Sequence, residues 1–125
     1  MCGIVGYIGK PKNIQEGLEA LKRLEYRGYD SAGMAAYDPQ KKEIFAMKAV
    51  GKIENLEKKL KGVDMKASPF LFYTRWATHG GVTEQNCHPH ADCQSNIWGA
   101  HNGIIENYQQ LKAKLIEEGH VFVSE

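Results

Sequence analysis

The chain has 125 residues, and its 16 Lys and Arg against 15 Asp and Glu leave a net charge of +1, which gives no electrostatic footprint for nucleic acid or an anionic membrane. Apolar residues make up 42% and charged residues 25%, with 13 Gly and 4 Pro, so disordered and collagen-like classes are excluded and one domain, or part of one, can bury a core. The charge-free residues 1–9 are too few to span a membrane and lack the basic flank of a signal peptide, and Cys2 stands where N-myristoylation needs Gly, so a soluble, cytoplasmic protein is expected.

Cys2-Gly-Ile-Val-Gly-Tyr-Ile-Gly9 is a short apolar, partly β-branched run closed by Gly9-Lys10-Pro11 and predicts a buried strand. Asn13 then has Glu16 three positions on, a capping-box spacing, and Ile14, Leu18, Leu21 and Leu24 recur on one helical face that should stop near Gly28. Residues 32–37 and 43–50 flank Asp38-Pro39-Gln40-Lys41, a turn sequence, and predict a hairpin. Ile53, Leu56 and Leu60 give a second, shorter helix between Gly51 and Gly62. Residues 70–76 are aromatic and β-branched and predict a strand. Residues 78–96, with three of the five His, have little periodicity and predict a long functional loop. A short strand over 97–101 precedes a helix capped by Asn107, with Tyr108, Leu111, Leu115 and Ile116 on one face and Gly119 as its stop. A final strand is expected over 120–123. The pattern is mixed α+β, with hairpins that favour antiparallel pairing.

Three cysteines, Cys2, Cys87 and Cys93, in a chain without an export signal argue against a disulfide framework and leave reactivity or metal binding. Three common ligand loops fail. Gly3-x-x-Gly6-x-x-Gly9 lacks dinucleotide spacing, a P-loop ending at Gly51-Lys52 would need Gly where Ala46 stands, and no Asp/Asn ladder is spaced for calcium. Cys2 carries more information. A small side chain after the initiator Met permits its removal, and Cys2 would then hold a free α-amine beside its own thiol, groups that ordinarily titrate at about pH 8. One residue would supply both nucleophile and general base. The plain alternative is a small apolar residue opening a strand.

Cys87-His88-Pro89-His90-Ala91-Asp92-Cys93 contains types that bind zinc, without a C-x-x-C, or else is a polar loop whose imidazoles bond a ligand or the backbone. Arg75, at a strand end, has the planar fork that clamps a carboxylate, or makes a surface ion pair. His101-Asn102-Gly103 offers a side-chain amide and a Gly N–H, two neutral donors suited to an oxyanion, or an Asn-Gly turn.

Taken in order, Met1-Cys-Gly-Ile-Val-Gly6, Arg23-Leu-Glu-Tyr-Arg-Gly-Tyr-Asp-Ser-Ala-Gly33, Thr74-Arg-Trp-Ala-Thr-His-Gly80, His88-Pro-His90 and His101-Asn-Gly-Ile-Ile-Glu-Asn107 resemble the N-terminal glutaminase domain of class II glutamine amidotransferases. Leu24-Glu-Tyr-Arg-Gly-Tyr-Asp-Ser31 is similar to the branch that isomerises and aminates fructose 6-phosphate. The resemblance implies an N-terminal-nucleophile sandwich of two antiparallel sheets between helical layers, incomplete within residues 1–125. It implies Cys2 as nucleophile, Asn102 and Gly103 as oxyanion donors, and Arg75 on the α-carboxylate of L-glutamine. Trp76, Thr78, His79 and His88 would line the pocket, with Arg27 close to the nucleophile. No metal or cofactor is implied. An Asp just past Glu125 would complete the substrate clamp, and fructose 6-phosphate would meet sugar-isomerase domains further on, in a homodimeric enzyme. The alternatives are an amidotransferase acting on phosphoribosyl pyrophosphate and a non-catalytic glutamine- or zinc-binding module.

Overall fold

Strand β1 (Gly3–Tyr7) opens a computed structural model that describes residues 1–125, and it is an edge of the main sheet. The two-residue strand β2 (Lys12–Asn13) leads into helix α1 (Ile14–Lys22), and a single 3-10 turn follows at Glu25–Arg27. The hairpin comprises β3 (Ser31–Asp38) and β4 (Glu43–Val50). Helix α2 (Ile53–Leu60), β5 (Lys66–Ala67) and β6 (Phe70–Arg75) come next. Two short strands, β7 (His90–Ala91) and β8 (Trp98–Gly99), precede helix α3 (Tyr108–Glu117).

The main sheet is antiparallel throughout and runs β1-β6-β3-β4, while β2 pairs with β5 and β7 with β8. The pleat sends alternate residues to opposite faces. Met34 and Phe72 pair across β3 and β6, and with Val5 and Met47 they face α1 and α2. Ile14, Leu18 and Leu21 of α1 and Ile53, Leu56 and Leu60 of α2 are fully buried there. Helices of nine and eight residues are marginal alone, so this packing, at about 1.5–3 kcal/mol per buried aliphatic side chain, is what holds them. The opposite face carries Gly33, Tyr73 and Lys48 in register, and the loop 76–89 and the β7–β8 pair lie against it. It bears no second full sheet, so the sandwich expected from the resemblance is present only in part.

Local chemistry explains where expectation and structure agree. Asp38 Oδ1 accepts from the Gln40 and Lys41 amides at 2.9 and 3.2 Å, an Asx turn that closes the hairpin. Asn13 caps α1 through its Oδ1 and the Gln15 N–H, but Glu16 closes no capping box, and the helix stops at Lys22 rather than near Gly28. Toward the C-terminus the expected helix forms, with none of Tyr108, Leu111, Leu115 and Ile116 buried, but two expectations fail: Asn107 makes no side-chain cap, and residues 120–123 form no strand. The apolar spacing there is real, but no partner layer lies within reach of it. The β2–β5 pair was not expected, since two residues carry no periodicity to read.

Candidate active site

Antiparallel pairing of Gly3 with Thr74 brings the start of the chain to the end of β6. Cys2 Sγ consequently accepts from the Trp76 N–H at 3.3 Å, with the Trp76 carbonyl at 3.7 Å. The Cys2 carbonyl accepts from Arg27 Nε at 3.1 Å and from Asn102 Nδ2 at 3.5 Å. Arg27 therefore stands behind Cys2, with Nη2 3.9 Å from Met1 Sδ, and does not line the cleft in front of it. Met1 itself is 72% exposed.

In front of Cys2 lies a cleft of about 300 Å³, large enough for an amino acid. Its lining includes Cys2, Arg75, Trp76, Thr78, His79 and His88 on one side and Asn102 and Gly103 on the other. Every residue that the sequence predicted for the pocket, Arg27 excepted, reaches this one cleft. The Gly103 N–H has no protein acceptor and Asn102 Nδ2 reaches the Cys2 carbonyl, so two neutral donors line the same cleft as the thiol.

Arg75 is only 6% exposed. Its Nη1 donates to the Gly81 carbonyl at 2.9 Å and its Nη2 to the His79 carbonyl at 2.5 Å. A guanidinium has five N–H groups, so the others remain for an anionic ligand. The loop that carries Trp76 is fixed from behind. Asp30 Oδ2 accepts from the Ala77 N–H at 2.5 Å, and Trp76 packs edge-on against Tyr29. Gly28 presses on the Arg75–Trp76 peptide, where a Cβ would come within 2.6 Å of backbone.

The floor is aromatic. Tyr73 is 1% exposed and lies 4.4 Å from the His88 ring, which in turn lies 4.5 Å from His90. Burial first, then the neighbouring Cys2 thiol, pushes the Tyr73 phenol up, so it stays a neutral donor to the His101 carbonyl at 3.4 Å. Burial, reinforced by His90 and Arg75, pulls His88 down to about 4. Sequence reasoning missed Tyr73, Asn86, Tyr108 and Glu125 as cleft residues. Asn86 sits next to the conspicuous Cys87-His88 pair, yet nothing in its sequence context signals burial.

The zinc alternative does not assemble. Cys87 is fully buried and donates to the Thr83 carbonyl, while Cys93 is exposed beside His120, and no three His, Cys, Asp or Glu residues come together to hold a metal ion. No helix is long and apolar enough to cross a membrane.

No protein-family model matches the chain. Over all 125 residues it is 52% identical to glutamine–fructose-6-phosphate aminotransferase (isomerizing) of Pyrococcus horikoshii, covering 21% of that protein. It is 51% identical to the enzymes of the same name from Methanococcus maripaludis and Aquifex aeolicus, covering 20% and 21% of them. The chain thus spans about a fifth of the length of the curated relatives it matches. Among solved structures, glutamine phosphoribosylpyrophosphate amidotransferase from B. subtilis superimposes with a TM-score of 0.77 at 26% identity, over 98% of this chain and 26% of that one. Over its whole length the chain is therefore similar in sequence to part of the isomerizing glutamine–fructose-6-phosphate aminotransferases, and in fold to part of the phosphoribosylpyrophosphate amidotransferase.

Proposed function

We propose that this chain is the glutamine-hydrolysing part of an isomerizing glutamine–fructose-6-phosphate aminotransferase. The observation that carries the reading is the meeting of Cys2 Sγ, the Asn102 amide and the Arg75 guanidinium in one cleft, with the thiol at the second position of the chain. Removal of Met1 frees the Cys2 α-amine. The amine takes the thiol proton as sulfur attacks the side-chain amide carbon of glutamine, and the new oxyanion is held by Asn102 Nδ2 and the Gly103 N–H. Collapse of that intermediate breaks the C–N bond, the ammonium proton passes to the leaving nitrogen, and ammonia departs from a γ-glutamyl thioester. Water, giving up a proton to the same amine, then cleaves the thioester to glutamate and restores the thiol.

Arg75 holds the α-carboxylate, and Trp76, Thr78, His79 and His88 shape the pocket. Nucleophile, base and oxyanion donors all come from the chain, so the chemistry calls for no metal or cofactor. Ammonia passes to fructose 6-phosphate bound by parts of the enzyme beyond these residues, in a cytoplasmic homodimer. An acceptor screen separates this reading from amination of phosphoribosyl pyrophosphate, and the identity of 51–52% to the fructose-6-phosphate enzymes favours the former.

The test is Cys2→Ala in the full-length enzyme. Glutamine hydrolysis should fall by at least about 10³-fold, the usual consequence of removing a nucleophile. Amination of fructose 6-phosphate by free ammonia should stay within about twofold, because it does not need the thiol. Undiminished glutamine hydrolysis in Cys2→Ala overturns the reading.

A further inference from the structure

Asn86 lies on the cleft, is 6% exposed, and has no part in the chemistry above. Its side-chain Nδ2 donates to the Gly81 carbonyl at 3.0 Å, and its Oδ1 accepts from the Glu125 N–H at 3.0 Å. Its own N–H reaches back to Thr83, at 3.2 Å to the carbonyl and 3.3 Å to Oγ1. The amide orientation is fixed by its partners, because a flip would set donor against donor and oxygen against oxygen. A buried amide that meets both of its needs inside the protein holds its partners in place, since breaking either bond leaves an unpaired polar group out of water.

The partners are what matter. The Gly81 carbonyl bonded by Asn86 is the same oxygen that receives Arg75 Nη1 at 2.9 Å. Glu125 closes the circuit, since its Oε2 accepts from the Gly81 N–H at 3.2 Å. Gly81 N–H and carbonyl, the Asn86 amide and Glu125 therefore form one hydrogen-bonded ring that joins the loop after β6 to residues 124–125 across the cleft. Gly80 fits the same arrangement. Its φ of +78° is a conformation that favours glycine, and a Cβ there would approach Asn86 Nδ2 to 3.3 Å.

We infer that Asn86 is a positioning residue of the glutamine cleft: by fixing the Gly81 carbonyl it sets the guanidinium of Arg75, and by holding Glu125 it sets the facing wall. The inference rests on the proposed glutaminase reading, with Arg75 as the carboxylate clamp. Asn86 touches neither the thiol nor the oxyanion donors, so its loss acts on the capture of an α-carboxylate and leaves the intrinsic reactivity of Cys2 alone.

Two alkylating probes separate these effects in the enzyme at its natural full length with Met1 removed. A glutamine-shaped diazoketone amino acid needs the carboxylate clamp to reach Cys2. Iodoacetamide, a neutral molecule with no α-carboxylate, does not. Asn86→Asp keeps the size of the side chain and the acceptor for Glu125 but sets a carboxylate oxygen against the Gly81 carbonyl. Asn86→Ala removes both bonds.

In both variants the half-saturating concentration of diazoketone, and the KM for glutamine, should rise about tenfold or more. The kcat should stay within about threefold and the iodoacetamide rate within about twofold. Wild-type protein that the diazoketone does not label at Cys2 defeats the glutaminase reading itself. Saturable labelling of wild type with an unchanged half-saturation in Asn86→Asp overturns the inference and spares that reading. A parallel fall in both labelling rates, or a fall in kcat with KM unchanged, also overturns it, since Asn86 would then support the fold or the nucleophile rather than the clamp.

Discussion

His88 shows how one residue can serve the cleft by staying neutral. Its ring lies tilted against Tyr73, and its Nδ1 is buried with no hydrogen-bond partner. Desolvation is the main reason its pKa drops from 6.5 to about 4, helped by the charges of His90, Arg75, Lys48 and His101. His90 is pulled down from the same value by burial and by Lys48 and Arg75. Two uncharged imidazoles leave Arg75 as the cation for an anionic substrate. The unfolded chain binds protons at these residues before the folded one does, so folding stability is full above pH 6.5 and is lost as pH falls toward 4. Between pH 6.5 and 5 ordinary carboxylates stay ionised, and the loss there belongs to the imidazoles. For His88 it should amount to about 1 kcal/mol once solvent screening of a partly exposed group is allowed for. Urea unfolding of the wild type and of His88→Gln across that window should give a shallower pH slope for the variant. Equal slopes would mean that His88 is protonated as readily in the fold as out of it.

At the scale of elements, helix α1 reverses a common rule. Replacing a helical Gly by Ala ordinarily gains about 1 kcal/mol. Gly17, however, faces the sheet, and a Cβ there would come within 2.4 Å of Phe72 Cε2 and 2.9 Å of Phe70 Cε2. Both rings are locked in the core, edge to face at 5.6 Å, so they cannot swing away, and overpacking of this kind costs about 1–3 kcal/mol. Gly17→Ala should lower the urea midpoint at an unchanged slope, and a raised midpoint would show that α1 can lift off the sheet. Elements were legible wherever periodicity coincided with a closing signal. Ile14, Leu18 and Leu21 had Asn13, and the hairpin had Asp38. Residues 108–123 had periodicity without a partner layer, so the last strand failed to form and the last helix stayed unburied. In the cleft, Cys2, Arg75 and Asn102 were singled out by weak chemical signals that the resemblance of their segments joined together, and the fold brings all three to one cavity. Tyr73, Asn86 and Glu125 were not singled out, because each matters only through a neighbour that the fold supplies from far along the chain.

Across the whole molecule, stability and site are unevenly shared. The thirteen-residue core cluster draws only on residues 14–72, and no residue beyond Pro89 is buried. Yet Asn102, Gly103, Tyr108, Ser124 and Glu125 from that lightly anchored stretch make up one wall of the cleft. What fastens the wall is sparse and mostly polar: Tyr73 to the His101 carbonyl, Asn102 to the Cys2 carbonyl, Glu125 to Asn86 and Gly81, and one edge-on ring contact of Tyr108 with His79. Local opening energies follow buried apolar contacts, so amides of α3 should exchange with solvent far faster than those of β3 and β6. A ligand that bridges Arg75 and the oxyanion donors touches both walls and pays the ordering entropy of the weaker one. Covalent labelling of Cys2 with the glutamine-shaped diazoketone should therefore slow exchange over residues 101–125 by about tenfold or more while β3 and α1 stay as they were. Hydrogen exchange read by mass spectrometry decides the matter. Exchange in α3 as slow as in β3 would show the wall to be preformed, and a label that leaves residues 101–125 unprotected would show that this wall does not close on the ligand.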